Sequence, residues 1–230
     1  YQVRDVFDLQ AMQGYLTSNF KLTRDLDASN TANWNGGTGF EPIGYTTNDP
    51  WFTKGVVKSV APTHAFRGIF NGGEHTISGL TIDRPDENGL GLFAYTASGA
   101  TVRDVGLLDV HITGGYGVAG IVGGNLGTVN NCYLTGQVAG YRYVGGIVGG
   151  NVGIILDSHS SAAMNGTEDV GGLAGTTFGK IDNSYATGNV IGNDRAENIG
   201  GLAGSGKEPH TILNSFATGN VSAGDKSKCV

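Results

Sequence analysis

The chain has 230 residues, 41 of them glycine and only 5 proline, with 39% apolar residues and a net charge of −6. Glycine without a Gly-X-Y period excludes collagen, and apolar residues that recur in register exclude a disordered glycine-rich segment. The dispersed acidic charge disfavours nucleic acid and anionic membrane as partners, and no run of about 18 apolar residues is present to span a bilayer.

No signal peptide begins at Tyr1, so export would imply a mature or excised piece. Over residues 3–16, apolar side chains at Val6, Leu9, Met12 and Leu16 predict a short amphipathic helix, with Gly14 suited to its end. Residues 1–19 are expected to cap an open first coil. Residues 20–27 alternate apolar and polar, as a half-buried strand does, and Phe40 to Gly44 predicts another short strand. Asp25 and Asp27 invite a calcium reading, but two alternating carboxylates on one strand are more simply solvated.

Residues 45–65 break the pattern and predict a loop insertion. Its Trp51 and Phe52 either pack the loop down or present a sticky tip. Irregular coils are expected through residue 116. Cys132 and Cys229 are too few for a disulfide scaffold. With three stacked coils between them they stand roughly 14 Å apart, beyond disulfide reach.

From 117 to 224 the chain repeats. Val118, Val144, Val170 and Ile199 each open a variant of Val-Gly-Gly-Ile-Val-Gly, so the steps are 26, 26 and 29 residues. A fixed period of this size is the signature of a solenoid. A second aligned segment starts at Val129, Ile155, Ile181 and Ile212. Each repeat offers three short segments separated by Gly or Asn, none long enough for an ordinary helix. Parallel stacking of equivalent segments predicts an all-β parallel β-helix forming one domain over 1–230, with a polar tail at 225–230. Parity places Leu80, Val105, Cys132, Ser158, Ser184 and Ser215 in one inward column, and Val129, Ile155, Ile181 and Ile212 in another. Asn131, Asp157, Asn183 and Asn214 are the expected corner residues, because Asn and Asp tolerate left-handed backbone. The same parity turns Tyr133, His159, Tyr185 and Phe216 outward, followed two residues on by Thr135, Ser161, Thr187 and Thr218. The outward aromatic row is either a platform for sugar rings or a partner protein, or a stack that shields strand edges.

At these residues the cycle Val-Gly-Gly-Leu-Ala-Gly, Asn-Ser-Tyr-Ala-Thr-Gly-Asn-Val resembles the GLUG repeat of bacterial surface exoproteins. Residues 22–27, 42–44, 66–77 and 91–93 are similar to the segment preceding such repeats in filamentous-haemagglutinin-type adhesins. The resemblance implies a right-handed β-helix, a secreted or cell-surface location, and a part in adhesion, biofilm and virulence. It further implies a host-cell or matrix glycan or protein, or another copy of the adhesin, as partner. Ligand-contact candidates are Tyr133, Thr135, His159, Tyr185, Thr187, Phe216, Thr218, Trp51 and Phe52.

Two other functions compete. A polysaccharide lyase or hydrolase needs acidic or basic groups converging on one groove. Here such groups are scattered, and Glu74-His75 beside Arg67 is the best local cluster. An ice-binding Thr face needs a regularity that the 29-residue step and Ser161-Ala162 interrupt. The histidines at 64, 75, 111, 159 and 210 lack metal-ligand spacing, so no metal and no cofactor is expected, and a non-enzymatic role is.

Overall fold

A computed structural model describes residues 1–47, 52–53, 56–58 and 60–228. Trp51 and Cys229 lie outside the described residues. The fold is the expected parallel β-helix with one short helix at its N-terminal end. Among the described residues, a parallel sheet of 19 strands and a parallel sheet of 5 strands form the walls.

The register explains the period. Val118, Val144, Val170 and Ile199 pair directly across successive coils. So do Phe93, Val122, Val148, Ala174 and Ala203. Phe20, Phe70, Val102, Val129, Ile155, Ile181 and Ile212 form the third column. The three columns converge on one apolar core that runs from Val3 to Ile199. Each Val, Leu, Ile or Phe so buried contributes about 1.5–3 kcal/mol. In the last coil the columns continue without a cover: Ile212 is 39% exposed, whereas Ile181 is 0% exposed.

The glycine pairs keep the coil narrow. A Cβ on Gly146 would collide with the Ser160 side chain across the core, and one on Gly145 with the Val148 carbonyl. Corners are set by left-handed residues. Asp104, Asn131, Asp157, Asn183 and Asn214 have φ of 57, 51, 48, 48 and 48°. Their side chains bond along the axis: Asn131 Nδ2 donates to Asp104 Oδ1 at 2.9 Å and Asn183 Nδ2 to Asp157 Oδ1 at 2.5 Å. Asn214 departs by one residue and donates to Asp182 Oδ1 at 3.0 Å.

Beside these corners the inward column holds Val105, Cys132, Ser158, Ser184 and Ser215. Ser158 Oγ accepts from Cys132 N, Ser184 Oγ from Ser158 N and Ser215 Oγ from Ser184 N, each at 3.1 Å. Each serine also donates to the carbonyl two residues back. The column is therefore polar because its hydroxyls satisfy the backbone at a corner. Leu80 does not belong to it. Thr81 pairs with His111, which places Leu80 one position earlier beside Val110, while His75 is the partner of Val105. These two coils stand 30 residues apart in register, not the 26 of the later repeats, so an offset of 25 misplaces Leu80.

The N-terminal helix is shorter than predicted. It covers Val6–Ala11 and continues as a 3-10 turn over Met12–Tyr15, with Gly14 inside that turn. Asp5 caps it by accepting from Phe7 N and Asp8 N at 2.9 and 2.8 Å. Leu9 and Met12 are fully buried. Gln10 and Gln13 tie the helix to Glu41, Pro42 and Gly44. Gln2–Val3 pairs with Lys21 and Leu22, so the cap segment supplies a strand as well.

The single strand expected over 20–27 is two, Phe20–Leu22 and Leu26–Asp27. Asp25 stands between them and accepts from Thr76 N at 2.9 Å, and Asp27 accepts from Ser29 N at 2.9 Å. The strand expected at 40–44 is reduced to single bridges, Gly39 to Ile82 and Ile43 to Phe93.

Candidate functional site

The outward aromatic row is a continuous ladder. Tyr133, His159 and Tyr185 pair in register, followed by Phe216. Their ring centroids are 5.4, 4.7 and 5.3 Å apart and the interplanar angles are 7, 6 and 6°. His159, where the repeat departs from its aromatic, continues the stack because imidazole is also planar. The ladder begins on a glycine: a Cβ at Gly106 would collide with the Tyr133 ring. Ring faces are thus taken by neighbours, and edges point outward. Phe216 is 54% exposed. Burial between the rings lowers the His159 pKa below its ordinary value.

The hydroxyl row beside the ladder is less uniform. Thr135 is half-buried and its Oγ1 accepts from Asp109 N at 2.8 Å. Ser161, Thr187 and Thr218 are exposed. Behind the row, Cys132 is buried, and burial pushes its thiol up to about 12. It is a small core residue rather than a nucleophile.

Phe52 is not part of this face. It is 3% exposed and packs on the outer wall beside Tyr95 and Tyr143, with centroids 5.9 and 5.8 Å away. A Cβ on Gly117 would collide with it, so glycine there makes its seat. The strand Phe52–Thr53 pairs antiparallel with Val56–Val57. Packing, not a sticky tip, is what this part of the insertion does. The Arg67–Glu74–His75 cluster is also engaged structurally. Arg67 donates to Pro62 O at 3.1 Å, His75 Nδ1 stands 3.3 Å from Asp25, and Glu74 occupies a left-handed turn with φ of 64°.

A second feature escaped the sequence reading. At another corner, Thr96, Asn125, Asn151 and Thr177 form a buried polar ladder. Thr96 Oγ1 donates to Asn125 Oδ1 at 2.6 Å, Asn125 Nδ2 to Asn151 Oδ1 at 2.8 Å, and Asn151 Nδ2 to Thr177 Oγ1 at 3.1 Å. The amides also hold the tight turns that follow, through Gly127 N to Asn125 Oδ1 at 3.1 Å and Asn151 Nδ2 to Lys180 O at 3.3 Å. Outside this ladder runs a trough of about 690 Å³. Gly127, Gly153 and Gly179 form its floor. Leu126, Val152 and Phe178 line one side, and Thr128, Ile154 and Lys180 the other. The signal was present as Asn125-Leu126-Gly127, Asn151-Val152-Gly153 and Thr177-Phe178-Gly179, one triplet per coil.

Residues 166–191 match the Glug family, described as the GLUG motif. The chain is 36% identical over 145 residues to Halomucin of Haloquadratum walsbyi, across 61% of this chain and 1% of that protein. It is 35% identical over 136 residues to a candidate Gly-rich membrane protein of Evansella cellulosilytica, across 57% of this chain and 14% of that protein. It therefore spans a small part of either relative. The crystal structure of a candidate immunoglobulin A1 protease from Bacteroides ovatus superposes with a TM-score of 0.70 at 19% identity. That match covers 97% of this chain and 67% of the other, and the likeness is one of fold. Taken together, the comparisons identify a GLUG-motif-bearing β-helix.

Proposed function

We propose that the chain is a non-enzymatic structural and adhesive segment of a secreted or cell-surface protein of the filamentous-haemagglutinin type. Its lateral surface binds host or matrix glycan or protein. The observation that carries this reading is a stack of near-identical coils presenting the same rows again and again. The titratable groups of its best local cluster are engaged in turns and inter-coil bonds. The likeness to Halomucin and to a candidate membrane protein supports surface exposure. In the aromatic row, contact is made through ring edges and the hydroxyls of Thr187 and Thr218. Thr135 is a further candidate for this surface, and Trp51 a candidate contact of the insertion.

The test is an array of glycans and matrix proteins probed with the purified chain. Binding is expected, with weakening on Tyr133→Ala combined with Tyr185→Ala where the ladder is the contact. An array without signal, together with unsaturated or hydrolysed products from acidic polysaccharides, would replace adhesion with catalysis.

A further inference from the structure

The trough is closed at both ends by the chain itself. Between the register pairs that flank it, the three middle coils use two-residue turns: 126–127, 152–153 and 178–179. The coil before them uses four residues, 97–100, and the coil after them four, 207–210. Ser98 and Gly99 of the first and Pro209 of the second line the trough at its ends. The floor between them extends over a few coil spacings of about 4.8 Å, roughly 15–19 Å in all.

Its chemistry is selective. Among the described residues no acidic side chain lines it, in a chain with 20 Asp and Glu against 14 Lys and Arg, and exposed Glu208 on the closing turn stands 3.8 Å from His210. Lys180 lines it, and Lys207 on the closing turn stands 5.9 Å over the Phe178 ring. Lys180 pairs with Asp182 at 2.8 Å, and Asp182 also accepts from Asn214, so the carboxylate keeps a partner when the ammonium turns to a ligand. Apolar Val152, Ile154 and Phe178 share the lining with the hydroxyls of Ser98, Thr128 and Thr211. The floor backbone is already used between coils: Gly153 N donates to Asn125 O, Ile154 N to Gly127 O and Lys180 N to Gly153 O. An added peptide strand finds no ladder to join.

We propose that this trough binds a short acidic oligosaccharide, about three to four pyranose units long, one unit per coil. Apolar side chains meet the C–H faces of the sugars, hydroxyls bond to hydroxyls, and Lys180 and Lys207 receive carboxylates. The proposal rests on the adhesive reading and adds to the aromatic row a second contact, in the trough, with its ligand class.

The experiment is calorimetric titration of the purified chain with uronate oligomers of two to six units. The panel comprises galacturonate, glucuronate and mannuronate series, with neutral oligomers of matched length, palmitate and an extended peptide as comparators. Acidic oligomers are expected to bind, with affinity rising up to about four units and then levelling, because the longer turns end the site. Ile154→Asp, at a position 37% exposed, and Lys207→Gln are each expected to weaken binding by about tenfold with unchanged melting. Equal binding of neutral and acidic oligomers, stronger binding of palmitate or peptide, or indifference to Ile154→Asp overturns the proposal. So does silence across the uronate panel. Array binding that persists in that case leaves the adhesive reading standing without this site.

Discussion

Asn151 offers the most demanding test of the physical account. It is 0% exposed. Its Oδ1 accepts from Asn125 Nδ2 at 2.8 Å, and its Nδ2 donates to Thr177 Oγ1 at 3.1 Å and Lys180 O at 3.3 Å. Truncation to Ala leaves partners in the coils on both sides without their strongest bond. Asn125 Nδ2 retains only contacts of 3.3 and 3.4 Å, and Thr177 Oγ1 only one of 3.5 Å. A buried polar group left unsatisfied costs about 1–3 kcal/mol. With one to two such groups and a small void, Asn151→Ala should cost about 2–5 kcal/mol.

Asn151→Asp separates the hydrogen-bond account from simple packing. The side chain keeps its shape and its acceptor but loses the donor and buries a carboxylate. Burial raises the folded-state pKa above the unfolded value of about 3.9, so folding favours the protonated form. The penalty is then small at low pH and grows as pH rises through the unfolded pKa toward the folded one. Hydrogen exchange resolved by segment is the assay, because a solenoid opens coil by coil and one global transition is not assured. Protection should fall in 125–128 and 177–180 as well as at the mutated turn. A loss below about 1 kcal/mol for Asn151→Ala, or a flat pH profile for Asn151→Asp, would refute the reasoning.

The aromatic ladder predicts that Tyr185→Ala, by removing two stacked pairs, costs about 1–3 kcal/mol, measurable as a lowered melting temperature. His159 has a lowered pKa, so its contribution is present above the unfolded value of about 6.5 and is lost as pH falls below it. The melting difference between wild type and His159→Phe should therefore change between neutral pH and about pH 5 in that direction; a constant difference would contradict it. Gly153→Ala would drive a Cβ into the Gly127 carbonyl, and a cost of at least about 1–3 kcal/mol is expected by chemical denaturation. Cys132, with its thiol buried and pushed up to about 12, should stay unalkylated by iodoacetamide under native conditions. Peptide mass mapping reads this, and labelling as fast as in denaturant would contradict the burial.

Repetition made the architecture legible. A motif returning at 118, 144, 170 and 199 can satisfy its backbone and bury its apolar positions only by stacking on itself. The outward row followed by parity, and so did the left-handed Asn and Asp corners, because few residue types tolerate that backbone. Where coils are irregular the same counting failed. Leu80 fell in a different column because its coil and the next stand 30 residues apart in register, not the 26 of the later repeats. The α-helix stopped at Ala11 and tightened into a 3-10 turn over Met12–Tyr15.

What the chain determined by itself is what is periodic: the coil, the corners, the columns and the row of rings. Tertiary structure alone decided what depends on neighbouring coils. It turned the aromatic faces toward one another, seated Phe52 on Gly117 beside Tyr95 and Tyr143, and closed a trough between two long turns. Those features arise from differences between stacked repeats, and a difference acquires geometry only when the coils are set one upon another.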